Sequence, residues 1–142
     1  MTERRRHRTG GPWEEAFGYS RAVRAGERVL VSGCTAVRDG VVEHHGDPSG
    51  QARTAFRTAI EAVEALGGAV GDIVRTRMYI THRGDADAVG RVHGELFAEV
   101  LPAASMLVVA GLISPELMVE VEVEAVVAEA ADRDADRGGA EA

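Results

Sequence analysis

The sequence has few aromatic residues, a single cysteine and no long apolar run. Aromatic residues make up 4% of the 142 positions while 45% are hydrophobic, so the core must consist of aliphatic side chains. The one cysteine, Cys34, excludes an internal disulfide and fits a reducing compartment. No apolar segment reaches the length of a membrane span or follows the basic start as in a secretory signal. A cytoplasmic protein without membrane contact is therefore expected.

Positive charge is also scarce. The chain has 16 Lys and Arg against 23 Asp and Glu, which gives a net charge of -7. This balance disfavours nucleic acid as a partner, because binding to phosphates requires a basic surface. Composition predicts a flexible basic tail over residues 1–10, one domain over 11–128, and a disordered or frayed tail over 129–142.

The segment from Val119 to Glu124 alternates strictly between apolar and acidic residues. A period of two predicts a β-strand with one buried face. The other face then carries Glu120, Glu122 and Glu124, three carboxylates that repel one another. Such a row needs cationic partners, water or a function, and solvation is the ordinary outcome.

A second strand is predicted over residues 73–80, with Arg75, Arg77 and Tyr79 on one face. If this strand neighbours the acidic one, guanidinium groups face carboxylates across the sheet. That arrangement suits an inter-subunit surface or a polar pocket. The alternative is a set of exposed ion pairs, each worth about 0–1 kcal/mol.

The first half of the chain predicts a β-hairpin and a helix. Residues 17–23 and 28–32 flank a Gly-containing turn, and 41–42 are predicted as a short third strand. Asp47 before Pro48 indicates a helix start, the apolar residues that follow recur at helical spacing, and Gly67-Gly68 marks the end.

The second half predicts another helix and the closing strands. Asp85 is placed to cap a helix whose apolar stripe ends before Pro102, and residues 105–110 are predicted as a buried strand. The resulting order is β-β-(β)-α-β-α-β-β, an α+β fold with two helices on one face of a mixed sheet. Because no element remains to cover the other face, self-association is expected.

Several short motifs, taken in order, resemble the RidA/YjgF family of enamine/imine deaminases. The resemblance spans about residues 16–127 and rests on segments 18–23, 29–33, 51–52, 71–76, 102–105 and 121–125. It implies a homotrimer of chorismate-mutase-like subunits with three pockets between them. Members hydrolyse imines and enamines such as 2-aminoacrylate to 2-oxo acids and ammonia, so the resemblance implies no cofactor and no metal.

The resemblance also assigns site residues. The family's catalytic glutamate matches Glu122, its tyrosine matches Tyr19, and its Ser-Gly pair matches Ser32-Gly33. Four positions depart from the family pattern. Ala104 stands where the family has arginine, Met106 where it often has cysteine, Gly90 where it often has asparagine, and Cys34 where it often has glutamine.

The missing arginine is the departure with the largest chemical effect. In the family it binds the substrate carboxylate as a bidentate fork, and Pro-Ala-Arg-Ser has become Pro102-Ala103-Ala104-Ser105. Losing such a contact costs about 2–5 kcal/mol when the ligand charge stays desolvated. An altered substrate range is therefore predicted.

Three further residues are candidates for a role in the site, and each also has an ordinary structural explanation. Arg77 could replace the missing guanidinium or form a structural ion pair with the glutamates. His93, in the stripe of the second helix, could be an acid/base group or a core residue. Cys34 could be a nucleophile, but without an activating base it is a small pocket-lining residue. No recognisable ligand spacing predicts a metal site.

The predicted ligand-binding set is Ser32, Gly33, Cys34, Arg77, His93, Ala104, Ser105 and Met106, with Glu122 and Tyr19 as catalytic residues. The leading hypothesis is a deaminase-type hydrolase for a small ligand, anionic or imine-like. Two alternatives stay open: a non-catalytic ligand-binding or regulatory trimer, and a tailoring enzyme for a larger substrate.

Overall fold

The computed structural model describes residues 3–129, in which eight strands and three α-helices alternate. Thirteen of the fourteen residues in the C-terminal tail predicted at 129–142 lie outside the described residues. The elements are β1 Arg4–His7, α1 Pro12–Phe17, β2 Ala22–Ala25, β3 Arg28–Cys34, β4 Val37–Arg38, β5 Val41–Val42, α2 Pro48–Ala65, β6 Ile73–Ile80, α3 Ala86–Phe97, β7 Ala103–Val108 and β8 Val119–Val126.

Six strands form one sheet in the order β1-β2-β3-β8-β6-β7, and β4 pairs with β5 in a separate two-stranded ladder. The pair β6–β7 is parallel, because α3 carries the chain across the sheet between them, and the other neighbours are antiparallel. The structure therefore confirms the predicted α+β fold with a mixed sheet. Within residues 3–129, no helix has both the length and the hydropathy of a membrane span.

The long helix α2 begins and ends where the sequence predicts. The Asp47 side chain accepts a hydrogen bond from the amide of Gly50 at 3.0 Å, and Gly67 adopts the left-handed φ of 91° after the last turn. Its apolar stripe, which includes Phe56 and Val63, is fully buried against β3 and β8. Helix α3 packs beside it through Val92 and Phe97, so both helices cover one face of the sheet, here called the helix face.

Asp85 does not cap α3 as predicted. It occupies the position before the helix, but its side chain makes no capping hydrogen bond. The reason is local geometry: Asp85 already has helical angles (φ -87°, ψ -5°) within the short turn Arg83–Asp85, whereas a capping side chain needs extended backbone.

The N-terminal segment differs from the prediction in two ways. Residues Arg4–His7 form an edge strand against β2 where a flexible tail was predicted, because backbone pairing with a free strand edge does not require an apolar pattern. The strand predicted over 17–23 begins only at Ala22. Residues Pro12–Phe17 form a helical turn that Gly18 ends with a left-handed φ of 73°.

The prediction of a buried strand at residues 105–110 is wrong for the single chain. Strand β7 lies at the edge of the sheet, and most of its side chains are exposed, including Leu107 and Val108. An apolar run at an edge has a neighbour on one side only, so composition alone cannot distinguish it from a central strand.

The second face of the sheet, here called the polar face, carries the charged residues of β6 and β8. Glu120, Glu122 and Glu124 alternate with buried valines on β8, and Arg75, Arg77 and Tyr79 alternate with buried residues on β6. In the described chain no helix covers this face.

Candidate functional site

The acidic strand and the arginine strand are neighbours, which meets the condition under which their charged groups face one another. Strands β6 and β8 are antiparallel, with Arg77 opposite Glu122 and Tyr79 opposite Glu120. The polar face therefore brings guanidinium, phenol and carboxylate groups together at the centre of the sheet.

Tyr79 lies near Glu122 on the polar face. A side-chain interaction with Glu122, followed by burial, raises the pKa of the Tyr79 phenol, because a neighbouring carboxylate disfavours loss of the phenol proton. Glu122 is itself half-buried, so this part of the face combines a carboxylate and a phenol that are partly shielded from water. Sequence analysis placed Tyr79 on this face but assigned it no role; the signal was its position two residues after Arg77.

Glu120 lies on β8 with its side chain against Gly33 of the neighbouring strand β3. Burial raises the pKa of Glu120, the neighbouring Glu122 raises it further, and the positive charge of Arg21 opposes both. Proximity to Gly33 follows from an irregular register between Val31 and Cys34, which turns this part of β3 toward β8.

Arg77 is engaged by Glu124 rather than free. Its Nη1 donates to Oε1 of Glu124 at 3.3 Å, and Arg28 approaches the other oxygen of the same carboxylate at 3.7 Å. About a third of each side chain of the Arg77–Glu124 pair is exposed, so the pair is a modest electrostatic contact. This is the structural ion pair that the sequence presented as the alternative to a ligand-binding role for Arg77.

A second group of candidate residues forms a corner where β2 meets β3. Ser32 Oγ donates to the carbonyl of Ser20 at 2.6 Å, and the Ser32 amide donates to the carbonyl of Arg21 at 2.9 Å. Nη1 of Arg21 donates to the carbonyl of Gly33 at 2.6 Å, and its guanidinium lies 5.7 Å from the ring centre of Tyr19. The corner therefore joins Tyr19 to the Ser-Gly pair through Arg21.

Cys34 completes this corner from the core side. It is buried, and burial raises the pKa of its thiol despite the nearby charge of Arg21, whose Nη1 lies 3.7 Å from Sγ. A thiol with a raised pKa is a poor nucleophile, and Cys34 packs in the hydrophobic core rather than on an exposed surface. Arg21 itself was missed as a candidate, although it stands in the segment 18–23 that carries the resemblance.

His93, Ala104 and Met106 belong to the opposite side of the sheet. His93 Nε2 is hydrogen-bonded to Thr76 Oγ1 at 2.7 Å, and burial between aromatic rings of the core lowers its pKa. In the β6–β7 register Ala104 is opposite Thr76 and Met106 is opposite Met78, so both share the helix face with His93.

Ser105 has the opposite orientation to its neighbours in β7. It is opposite Arg77 in the register and is exposed on the polar face. The candidate residues thus fall into two sets: Tyr19, Ser32, Gly33, Arg77, Ser105 and Glu122 on the polar face and its β2–β3 corner, and His93, Ala104 and Met106 on the helix face, with Cys34 buried between them. One chain does not bring the two sets together, because the sheet separates them.

A cavity of about 270 Å³ adjoins Tyr19 at the N-terminal segment. Its lining includes Arg6, Arg8 and the buried Glu14. Burial alone would raise the pKa of Glu14, but hydrogen bonds from the side chain and amide of Thr9 lower it below its ordinary value. Glu14 is thereby a structural anchor for the turn at Thr9. In the part of the chain that is described, no group of three His, Cys, Asp or Glu side chains is arranged to hold a metal ion.

Comparison with known proteins adds independent findings. Residues 13–127 match the family model described as Endoribonuclease L-PSP. The chain is 48% identical over 121 residues to an uncharacterized protein of Streptomyces coelicolor, which covers 85% of this chain and 90% of that protein. It is 32% identical over 111 residues to the 2-iminobutanoate/2-iminopropanoate deaminase of Escherichia coli K12, and the match covers 76% of this chain and 84% of that protein.

A solved structure from Mycobacterium tuberculosis, of a member of the YjgF/YER057c/UK114 family, superposes on the fold with a TM-score of 0.80. Its sequence is 39% identical, and the match covers 88% of this chain and all of that one. The similarity therefore extends over the sheet, both long helices and both sets of candidate residues.

Proposed function

The chain belongs to the RidA/YjgF family, and from that membership we propose that it is a cofactor-independent hydrolase of small imines or enamines, of the deaminase type. The reaction takes place in pockets between the subunits of a homotrimer. A cytoplasmic location, expected from the lone cysteine, is part of this proposal.

The observation that carries the proposal is the half-buried Glu122 carboxylate on the polar face, opposite Arg77 and near Tyr79. In the reaction a water oxygen bonds to the carbon of the protonated C=N group, Glu122 takes a proton from that water, and the π electrons move to nitrogen. Glu122 then passes this proton to the nitrogen and accepts the hydroxyl proton as the carbonyl forms and the C–N bond breaks. That proton leaves with the ammonia as ammonium, which restores the Glu122 carboxylate. Tyr19 lines the substrate from the β2–β3 corner.

The division of candidate residues between two sides of the sheet supports a pocket between copies. A partner that presents its β7 edge, with Ala104 and Met106, to the polar face of this chain would assemble both sets into one site. Exposed apolar side chains at that edge, Leu107 and Val108, and nearby Leu101 and Ile113 favour such contact. The partner's edge would also shield the polar face from bulk water.

Ala104 sets the substrate range of the proposed enzyme. Its methyl group cannot bind a carboxylate, and its exposed position on β7 leaves the space that an arginine would fill. Substrates therefore differ from those of members that carry the arginine, either in size or in where their charge is held. Cleavage of RNA, named in the description of the family model, is disfavoured by the net charge of -7 and by the three glutamates of the polar face.

A non-catalytic trimer that binds an anionic or imine-like ligand is the second candidate. Ala104 favours it too, because loss of the arginine removes the group that orients an imino acid for hydrolysis. The two functions differ in turnover, and therefore a kinetic experiment separates them.

The test is hydrolysis of 2-iminobutanoate, generated in the assay by an amino acid oxidase, above its spontaneous rate. Glu122→Gln should lower turnover by about 100-fold or more, since it removes the proton acceptor. Glu124→Gln is the matched control on the same strand face and should keep turnover. Ala104→Arg should raise the rate about 30-fold or more if the pocket still accepts imino acids. If neither the natural protein nor Ala104→Arg hydrolyses the imine, the deaminase function is wrong and the ligand-binding function stands.

A further inference from the structure

We propose that Arg21 is the cation that receives the carboxylate of the ligand in this chain. The inference rests on the proposed small-molecule site, but it concerns how the ligand is bound and does not require turnover. It assigns the ligand to the class of short 2-oxo, 2-imino or 2-amino acids.

Arg21 is fixed in place by the residues around it. Its Nη1 donates to the Gly33 carbonyl at 2.6 Å and lies 3.7 Å from the Cys34 sulfur, while the guanidinium lies 5.7 Å from the Tyr19 ring centre. The backbone of Arg21 is held by the Ser32 amide at 2.9 Å. An arginine held at one nitrogen loses less side-chain entropy when it binds a ligand than a freely moving one.

The remaining nitrogens of Arg21 are available for a ligand. Within residues 3–129 its side-chain hydrogen bonds use Nη1, and Nη2 and Nε have no protein acceptor. No carboxylate oxygen in this part of the chain lies within 4.0 Å of the guanidinium, whereas Arg77 and Arg28 both contact Glu124. A guanidinium edge with two free N–H groups has the geometry that binds a carboxylate bidentately.

Glu120 and Glu14 are the carboxylates whose charges interact with Arg21, and Glu14 is already bound by Thr9. Glu120 is the remaining candidate for an internal partner, and it is a weak one. The charge of Arg21 stabilises its ionised form, but burial and Glu122 outweigh this effect and raise the pKa of Glu120. The carboxyl also lies against Gly33 rather than in contact with the guanidinium. An incoming carboxylate therefore does not have to displace an existing ion pair.

The position of Arg21 implies that the ligand binds in the reverse of the orientation expected from the family arginine. In the family pattern the arginine stands at residue 104, on the helix face of β7, whereas Arg21 stands at the β2–β3 corner beside Tyr19. In a pocket between two copies, a ligand anchored at Arg21 points its carboxylate toward the Gly33 corner and its other end toward Ala104 of the neighbouring copy. The space at Ala104 then accommodates the side chain of the ligand.

The experiment is calorimetric titration of the full-length protein with 2-oxobutanoate, a stable 2-oxo acid, and with its uncharged amide, 2-oxobutanamide. Arg21→Gln should weaken 2-oxobutanoate binding about 30-fold or more and leave amide binding nearly unchanged, because only the acid has a charge to pair. Arg21→Lys should recover part of the affinity. Arg75→Gln, which removes a partly buried guanidinium of the same face without contacts to the corner, is the matched control and should bind as the natural protein does.

Two results would overturn the proposal: unchanged binding of 2-oxobutanoate by Arg21→Gln, or no binding of it by the natural protein. Thermal unfolding of each variant shows that the subunits are folded, and amide binding by Arg21→Gln shows that the pocket is intact. The outcome is separate from the imine assay. If the protein binds 2-oxobutanoate through Arg21 but hydrolyses no imine, the deaminase function is refuted and the proposed role of Arg21 is upheld.

Discussion

The carboxyl group of Glu120 fills the space that a side chain at Gly33 would need. A Cβ atom at residue 33 would meet Oε2 of Glu120 and would lie 2.8 Å from its Cδ. A side chain at residue 33 is therefore opposed by a neighbouring strand rather than by the backbone angles of this residue, since its φ is not in the left-handed region. The absence of a side chain at residue 33 of β3 therefore leaves the space that the Glu120 side chain of β8 occupies.

Replacing Gly33 with Ala should displace the Glu120 carboxyl while costing only about 1 kcal/mol of unfolding free energy, because the obstructing group is the end of a flexible side chain. Urea denaturation measures the stability, and titration with 2-oxobutanoate measures the effect on the site, which should bind more weakly. Gly94→Ala is the control: nothing lies within 4 Å of a Cβ there, and α3 should be unchanged or slightly more stable. Equal ligand affinity in Gly33→Ala would show that Glu120 does not shape the pocket.

Gln51 should be essential for stability although it is remote from the polar face. It is fully buried, donates to the carbonyls of His44 and Glu116 at 3.2 and 2.9 Å, and accepts from the Met118 amide at 2.8 Å. Gln51→Leu removes the partner of the Glu116 carbonyl and of the Met118 amide, while the His44 carbonyl keeps its bond from the Asp47 amide, and should cost about 2–4 kcal/mol in urea denaturation.

The control for Gln51 is Arg53→Ala on the exposed side of the same helix. Its ion pair with Glu95 has both side chains more than half exposed, so the loss should be about 0–1 kcal/mol. Similar losses of unfolding free energy in the two variants would contradict the role assigned to Gln51, which is to link α2 to Glu116 and Met118 just before β8.

His93 should make the fold less stable in mild acid. Burial lowers the pKa of His93 in the folded state, so as the pH falls below its ordinary value of 6.5 the unfolded chain binds a proton before the folded chain does. The stability contributed by His93 is therefore complete above about pH 6.5 and is lost as the pH falls toward the folded-state pKa.

His93→Gln keeps a hydrogen-bonding group for Thr76 but removes the titration. The variant is expected to lose less unfolding free energy than the natural protein when the buffer changes from about pH 7.5 to about pH 5.5. Guanidinium denaturation at both pH values measures the difference. Equal losses of unfolding free energy in the two proteins would show that protonation of His93 is not linked to folding.

The exposed β7 edge predicts self-association. We expect light scattering to find a mass of about three 15.0 kDa chains. Leu107→Asp, which puts a charge on the apolar edge, should shift the protein toward monomers, and imine turnover should fall with it. Val41→Asp changes an exposed apolar residue in the separate β4–β5 ladder and should leave the mass unchanged. A monomeric natural protein would contradict both the trimer and the pocket between copies.

Local patterns in the sequence predicted the central elements well. Strict alternation identified β8 and β6 and put the glutamates of one and the arginines of the other on a single polar face each, and Asp47 with Gly67 marked the ends of α2. These features depend on side chains close in sequence or on a simple period, and both are visible without knowledge of the fold.

Features that depend on pairing between distant segments could not be predicted in this way. Arg4–His7 form a strand because β2 has a free edge, and β7 is exposed because nothing pairs beyond it. The role of Arg21 depends on the Gly33 carbonyl, which is near in space only after β2 and β3 have paired. The separation of His93 and Ala104 from Glu122 likewise requires the register of three strands.

The position of β8 has a consequence for how the protein is made. Residues Val119–Val126 form the last strand of the described chain, yet they lie in the middle of the sheet between β3 and β6. The N-terminal hairpin and the β6-α3-β7 unit are therefore joined in one sheet only through β8, after these residues have left the ribosome. Until then the valine-lined gap between β3 and β6 stays open, and we expect the nascent chain to be most prone to aggregation and most dependent on chaperones during this interval.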